Sequence, residues 1–305
     1  MDIRRLEAFA KVFESRSFSR AAKELYLSQP TISSHVALLE EELGVLLFDR
    51  VGRSVLPTQA AEILYGRSQS IFHLLHIAHA EIDLLRHTVS GPIILGGSTI
   101  PADYVLPPLL ATFVRRYPDV RIDLRVGDTD SVVEMVRRGD VMMAMVGSAA
   151  DIRDLVFEPV LVDDPVLIGT QEQMQEITGS EDDLTILSKL IWVMREPGSG
   201  TRQALESALK SRGLGIHDLQ IAIQVQNTQA MLGCVLAGLG VSVTSRMIVE
   251  PYVQRNEIQA LSLPALAMTR SFYLVHHKKR ELFPATRELR TFLTNALASG
   301  VHSKF

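Results

Sequence analysis

Ser28, Gln29, Pro30, Thr31, Ser33, Ser34 and His35 crowd the start of one helical stretch. Their side chains are of the kinds that read DNA base edges. Glutamine pairs bidentately with adenine, serine and threonine bond to either base type, and apolar atoms touch the thymine methyl. Phosphate contacts need cations. Arg16, Arg20 and Lys23 precede this cluster, and Arg50 and Arg53 follow it. A second kind of chemistry is carried further along. GGSTIPADY (96–104), REPGSGTR (195–202) and QNTQAM (226–231) each place small polar residues between an apolar run and a helical stretch, and Gly147-Ser148 closes another apolar run. Hydroxyls, amides and free backbone N–H groups at a helix N-terminus suit a small anion or carboxylate. The candidates are Ser98, Thr99, Ile100, Gly147, Ser199, Gly200, Thr201, Arg202, Asn227 and Thr228, with Arg202 able to add a charge-assisted bond. Any one such Ser or Thr is ordinarily a helix cap; it is the recurrence that points to a site.

These residues need elements to hold them. Ile3, Leu6, Phe9, Ala10 and Phe13 form one helical stripe over 2–15. Ser17-Phe18-Ser19 breaks it, and Ala21, Ala22 and Leu25 mark a second, short helix. Ser28 is placed to cap a third helix with Pro30 in its first turn, and Gly44 to stop it. Ile32, Val36, Leu39 and Leu43 are its apolar seam. Residues 46–58 read as two short strands around Gly52, a wing. From Thr58 to about Thr88 the pattern is one long helix, with Ala61, Leu64, Ile71, Leu75, Ile82 and Leu85 as a seam that a partner copy would cover.

Beyond Pro92 the texture alternates. Strands are expected at 93–95, 121–126, 141–146, 166–169, 191–193, 220–225, 241–244 and 272–276. Helices are expected at 103–116, 131–138, 201–212, 228–237 and 284–298. Such alternation predicts parallel sheets covered by helices, and about 210 residues of it predict two lobes with a cleft between them.

The chain has 305 residues and a net charge of −4, from 31 Lys+Arg against 35 Asp+Glu. Taken whole, that balance argues against a nucleic-acid partner. Read by position it does not. Residues 1–60 carry eight basic and eight acidic residues, yet 16–35 carry three bases and the single acid Glu24. Glu40, Glu41 and Glu42 fall at the far end of the third helix. One cysteine, Cys234, excludes an internal disulfide and reads as packing. Met142, Met143 and Met145 read as strand core. His73, His76 and His79, with Asp83, share part of a helix face, but one helix rarely closes a metal site. His276 and His277 point to opposite faces of a strand. The Walker A pattern, the nucleophile elbow and the dinucleotide fingerprint are all missing. No metal, cofactor, enzyme activity or membrane span is therefore expected, and the location expected is the cytoplasm. A solute-binding protein or a small-molecule enzyme is the alternative, disfavoured by the N-terminal helices and wing.

The segment SFSRAAKELYLSQPTISSHVALLEEELGVLLFDRVGRSVLPTQA (17–60) resembles the N-terminal signature of LysR-type transcriptional regulators. The resemblance implies an α/β chain: a winged helix-turn-helix at 1–60, a linker and dimerisation helix at 61–89, and a two-lobed, periplasmic-binding-protein-like effector domain at 90–300. Lobe I would hold about 91–163 and 267–300, and lobe II about 164–266. It puts Gln29, Pro30, Thr31, Ser33 and Ser34 at the bases and Arg53 in a wing facing the minor groove. Many members carry Arg where this chain has Ser34, which leaves the base preference there open. It also puts effector contacts at Ser98, Thr99, Ile100 and Ser199 to Arg202. The partners implied are double-stranded DNA, a small anionic effector, further copies of the chain in a homodimer or homotetramer, and RNA polymerase. GSTIPADYVLP, RVGDTDSVVEMV and REPGSGTR look most like the subgroup linked to sulfur or selenium metabolism.

Overall fold

The computed structural model describes residues 2–51, 54–85, 89–175, 177, 184–263 and 266–299, leaving aside the side chains of 50, 51, 54, 76, 79–81 and 83–85. Its backbone contacts divide it into two units, 1–82 and 83–305.

The first unit opens with α1 (Ile3–Ser15), α2 (Phe18–Glu24) and α3 (Gln29–Leu43). Each is started by a side chain that accepts an otherwise orphaned N–H: Asp2 from Arg4 at 2.9 Å, Ser17 from Arg20 at 3.3 Å, Ser28 from Thr31 at 3.2 Å. The expected break at 17–19 is thus a cap rather than a gap, and α2 begins at Phe18. Gly44 ends α3 at φ 69°, a left-handed conformation that glycine adopts without strain. Two strands, β1 (Phe48–Val51) and β2 (Ser54–Pro57), pair antiparallel as the wing. Glu40 holds the wing to α3: its Oε1 accepts the N–H groups of Leu47 at 2.7 Å and Phe48 at 3.2 Å. Phe9, Phe18 and Phe48 meet in a core completed by Leu6, Ile32, Val36 and Leu39.

The long helix is α4 (Gln59–Leu85), about 40 Å at 1.5 Å per residue. Ala61, Leu64 and Ile71 of its seam pack into the core of the first unit. Ile63, Leu74 and Ile82 lie exposed instead.

Ser28→Ala is expected to destabilise the first unit by about 1 kcal/mol, and Ser28→Gly by only a few tenths. Urea denaturation of the two variants side by side checks this. Equal losses would mean that the cap is not what Ser28 contributes.

The second unit runs β3 (Gly91–Ser98), a π-helical turn at Pro101–Val105, α5 (Leu106–Arg116), β4 (Val120–Gly127), α6 (Thr129–Arg138), β5 (Met143–Val146), β6 (Leu155–Asp163), β7 (Pro165–Gly169), α7 (Gln171–Gln175), β8 (Ile191–Arg195), α8 (Gly200–Ser211), β9 (Gln220–Val225), α9 (Thr228–Leu236), β10 (Ser242–Ser245), α10 (Arg246–Gln254), β11 (Gln259–Leu261), β12 (Arg270–His277) and α11 (Pro284–Ala298). One sheet has the order β4-β3-β5-β12-β6. The other lobe holds β10-β7-β11 and β8-β9, linked by a bridge between Trp192 and Val241. The chain crosses between lobes after β6 and returns before β12.

The sheets are not wholly parallel, as the alternation predicted. β12 runs antiparallel to both β5 and β6, and β7 antiparallel to β10 and β11. The reason is the crossing itself: strands that carry the chain out of a lobe and back into it pair head to tail. One apolar cluster spans both sheets and fully buries Met143 and Met145; a second holds Trp192, its indole N–H donating to the Leu187 carbonyl at 2.9 Å. Cys234 is half-buried against the first of these cores.

Candidate functional site

The first candidate surface is the start of α3. Ser28 Oγ caps the helix and shares a 2.7 Å hydrogen bond with the Thr31 hydroxyl, so two candidate hydroxyls are tied together at its first turn. Gln29 is exposed, and its Oε1 accepts from the Ser19 hydroxyl on α2 at 3.0 Å. That bond fixes the amide and leaves its NH2 group free to donate outward. Pro30 and Ser34 are exposed, Thr31 and Ser33 half-buried. His35 is half-buried with its Nδ1 enclosed and unpartnered. Arg20 is exposed on α2, and Arg16 stacks over the Phe13 ring at 4.5 Å. Arg53 and the side chain of Arg50 lie outside the described residues.

Several acids of this unit are engaged away from the start of α3. Glu24 pairs with Lys11 at 3.5 Å and Glu42 with Arg5 at 3.3 Å, while Glu40 anchors the wing. The start of α3 and the face of α2 beside it therefore keep their positive character although residues 1–60 are neutral as a whole. The sequence places Glu40, Glu41 and Glu42 at the far end of α3; the anchoring role of Glu40 was not expected.

The second candidate site lies between the lobes of the second unit. Ser98, Thr99 and Ile100 at the end of β3, Gly147 after β5, and Ser199, Gly200 and Thr201 at the start of α8 all line one pocket. Its empty space is about 210 Å³ with the mouth included. Thr228 joins it indirectly, accepting from Arg195 Nη1 at 2.8 Å and lying 3.3 Å from the Thr99 hydroxyl. Arg202 and Asn227 are not brought in. Arg202 turns to Glu206 at 2.7 Å, the Arg195 carbonyl and Gln224. The Asn227 side chain caps α9 through Ala230 N–H at 2.8 Å.

Sequence reasoning missed the residues with the strongest chemistry. Arg270, on the first residue of β12, donates from Nε to Asp163 at 2.8 Å, with the two side chains 9% and 1% exposed. Its Nη1 and Nη2 are buried and have no hydrogen-bond partner, and neither has the Thr129 hydroxyl. All three groups belong to pocket residues. Buried donors are nearly always satisfied in folded proteins, so three on one wall mark a place for an acceptor. Burial pushes the Arg270 guanidinium below its ordinary range, Asp163 opposes that shift, and the nearby charge of Arg195 adds to it. Arg195 itself donates to Glu196 at 2.6 and 2.8 Å and to Thr99 at 3.3 Å. Asp128 completes the wall and caps α6 through Ser131 N–H at 2.7 Å.

Hydrogen bonds tie the lobes on both sides of the pocket. Thr129 N–H donates to the Gly198 carbonyl at 3.1 Å. Gln203 on α8 accepts from Ser148 at 2.6 Å and donates to Asp130 at 3.1 Å. Gln229 donates to the Tyr104 hydroxyl at 2.8 Å. Tyr104 sits on the π-helical turn, an irregularity frequent at functional sites. Gly200 lets the lobes approach: a Cβ there would sit 3.0 Å from the Gly147 carbonyl carbon and from Thr129 Oγ1.

Among the described residues no helix is long and apolar enough to cross a membrane, and no group of three or more His, Cys, Asp and Glu is placed to hold a metal ion.

Comparison with known proteins finds family matches over both parts of the chain. Residues 3–62 match the family described as the bacterial regulatory helix-turn-helix protein, lysR family. Residues 86–298 match the LysR substrate binding domain. The HTH-type transcriptional regulator CysL of Bacillus subtilis (strain 168) is 30% identical over 91% of this chain and 94% of its own. Full-length CbnR complexed with its target DNA superposes with a TM-score of 0.67 at 20% identity, covering 97% of this chain and 100% of that one. The regulatory domain of CcmR from Synechocystis PCC6803, in complex with 2-PG, gives a TM-score of 0.62 at 22% identity over 68% of this chain and 98% of that one.

Proposed function

The chain belongs to the LysR family of DNA-binding transcription regulators and carries that family's effector-binding domain; from that premise we propose that its effector is a small oxyanion held between the lobes on Arg270. The observation that carries this reading is the pair of buried, unpartnered Arg270 nitrogens beside the unpartnered Thr129 hydroxyl. The start of α8, capped by Ser199, adds the positive end of a helix dipole. An oxyanion of sulfur or selenium is the narrower assignment, supported by the likeness of 97–107, 125–136 and 195–202 to that subgroup. An effector on Arg270 and α8 at once would bias lobe closure, the element through which the domain would respond.

For the DNA face we propose that Gln29, Pro30, Thr31, Ser33 and Ser34 of α3 meet base edges, with Ser28 holding the helix start in place. The cations flanking α3 would meet phosphates, so binding would weaken steeply with salt. Two chains would pair through α4, whose Ile63, Leu74 and Ile82 are exposed in the single chain, and present two reading heads to a near-palindrome. RNA polymerase would be the further partner at the promoter, and the cytoplasm the location.

Two measurements test these readings. Thermal-shift titration of the full chain with sulfite, selenite and phosphate is expected to show stabilisation by at least one. No response to any of them sinks the effector assignment. Fluorescence anisotropy with DNA from the gene's own upstream region is expected to show Gln29→Ala weakening specific binding by about 1–3 kcal/mol while non-specific binding is kept. Unchanged specific binding removes Gln29 from the base-reading set.

A further inference from the structure

The charge balance around the pocket has its own consequence. Two arginines reach it, yet each already has a buried carboxylate. Arg270 pairs with Asp163 at 2.8 Å, with 9% and 1% of the side chains exposed. Arg195 pairs with Glu196 at 2.6 Å, with 3% and 10% exposed. The four groups carry no net formal charge. Asp128, half-buried on the wall, adds a negative one. Asp103, on the π-helical turn, also lies in the field of Arg195. The pocket is therefore rich in donors but holds no uncompensated side-chain cation.

From this we propose that the pocket selects singly charged oxyanions and discriminates against doubly charged ones. The proposal rests on the reading of this pocket as the effector site.

One negative charge meets the outer edge of the Arg270 guanidinium, the Thr129 hydroxyl and the start of α8. A helix N-terminus is equivalent to roughly half an elementary charge, and a guanidinium with a carboxylate on its far side still presents two polarised N–H groups. Those terms suffice for a monoanion. A second charge would find no further cation, because the Arg195 donors already serve Glu196, Thr228 and Thr99. It would face Asp163, Glu196 and Asp128 across a partly dehydrated site, where like charges repel far more strongly than in water. Among sulfur and selenium oxyanions this favours hydrogen sulfite and hydrogen selenite over sulfate and selenate.

Sulfite provides the test, since it changes from monoanion to dianion near neutral pH. The charged groups around the site are Arg195, Arg270, Asp103, Asp128, Asp163 and Glu196, and no histidine or cysteine lines the pocket. Carboxylates and guanidiniums ordinarily keep their charge between about pH 6 and about pH 8. Isothermal titration calorimetry of the full chain would measure sulfite and phosphate at both pH values. Methanesulfonate, singly charged throughout, serves as the reference for any effect of pH on the protein.

Relative to that reference, sulfite, or phosphate if sulfite does not bind, is expected to bind up to about tenfold more tightly at the lower pH, the ratio set by the fraction of monoanion. A ratio that stays level or rises with pH overturns the charge selection and leaves the effector assignment standing. If neither ion binds, or if both bind undiminished to the double variant Asp163→Asn/Arg270→Met, the effector assignment fails and the proposal fails with it.

Discussion

Replacing Arg270 by alanine is expected to abolish anion binding and to destabilise the effector domain by about 3–5 kcal/mol. The two effects have separate causes. Two charge-assisted hydrogen bonds from Nη1 and Nη2 are each worth about 1.5–3 kcal/mol, so their loss weakens binding by about a hundredfold or more. The destabilisation comes from the other side of the side chain. Asp163, 1% exposed, would keep Ser245 as its remaining side-chain partner and lose its counter-charge. Removing one member of a buried ion pair costs more than removing both. Asp163→Asn/Arg270→Met is therefore expected to recover most of the stability in circular-dichroism melts and none of the anion affinity in calorimetry. If the double variant regains affinity as well as stability, Arg270 supports the fold and does not hold the effector. Arg270→Lys is expected to fall between, since an ammonium keeps the charge but not the planar fork that reaches Asp163 and the pocket together.

Gly200→Val is expected to be the next most damaging change, through shape rather than charge. Its Cβ would meet the Gly147 carbonyl carbon and Thr129 Oγ1, each at 3.0 Å. The first is backbone and cannot turn aside. The two γ-methyls of valine enlarge the conflict, and overpacking of this kind costs about 1–3 kcal/mol. Gly200 and Gly147 stand on opposite lobes, so the strain is relieved by separating them. The Thr129 N–H to Gly198 carbonyl bond would lengthen, and the start of α8 would draw back from Arg270. Anion affinity is expected to fall about ten- to a hundredfold in calorimetry, while DNA affinity without effector is kept. Gly200→Ala should show a smaller loss of the same kind. Full affinity in the valine variant would mean that the lobes need no close approach at this point.

The site was legible in sequence where it depends on local rules. Ser28, Pro30 and Gly44 mark the two ends of α3 because caps and left-handed stops are written in single residues. Ser98, Thr99 and Ser199 to Thr201 could be found because a strand end followed by a helix start is a local pattern. Arg270 could not be found that way. It stands at the start of a strand and meets a carboxylate 107 residues earlier in the chain. That meeting depends on β6 and β12 pairing antiparallel at the point where the chain changes lobes. β6 is absent from the expected strands, and it contains Pro159, a residue that disfavours a central strand. The structure puts that proline on the edge strand of its sheet, beside a bulge opposite Phe272 and Tyr273, a position where proline is tolerated. α10, likewise absent from the expected helices, carries Pro251 in its interior. One signal was available: Asp163 and Arg270 each border an apolar run, and a lone charge at such a border calls for a partner of opposite sign.

Trp192 has a use outside the chemistry of the site. It is the chain's one tryptophan, fully buried in the lobe of β7 to β11, and three residues upstream of Arg195 on the same strand. Light absorbed by indole is therefore emitted from one known place. A fluorescence melt excited on tryptophan records the loss of packing around that one indole, while the winged helix must be followed by a label or by its affinity for DNA. The same isolation makes the indole an internal reporter of events three residues away, free of the background that a second tryptophan would impose.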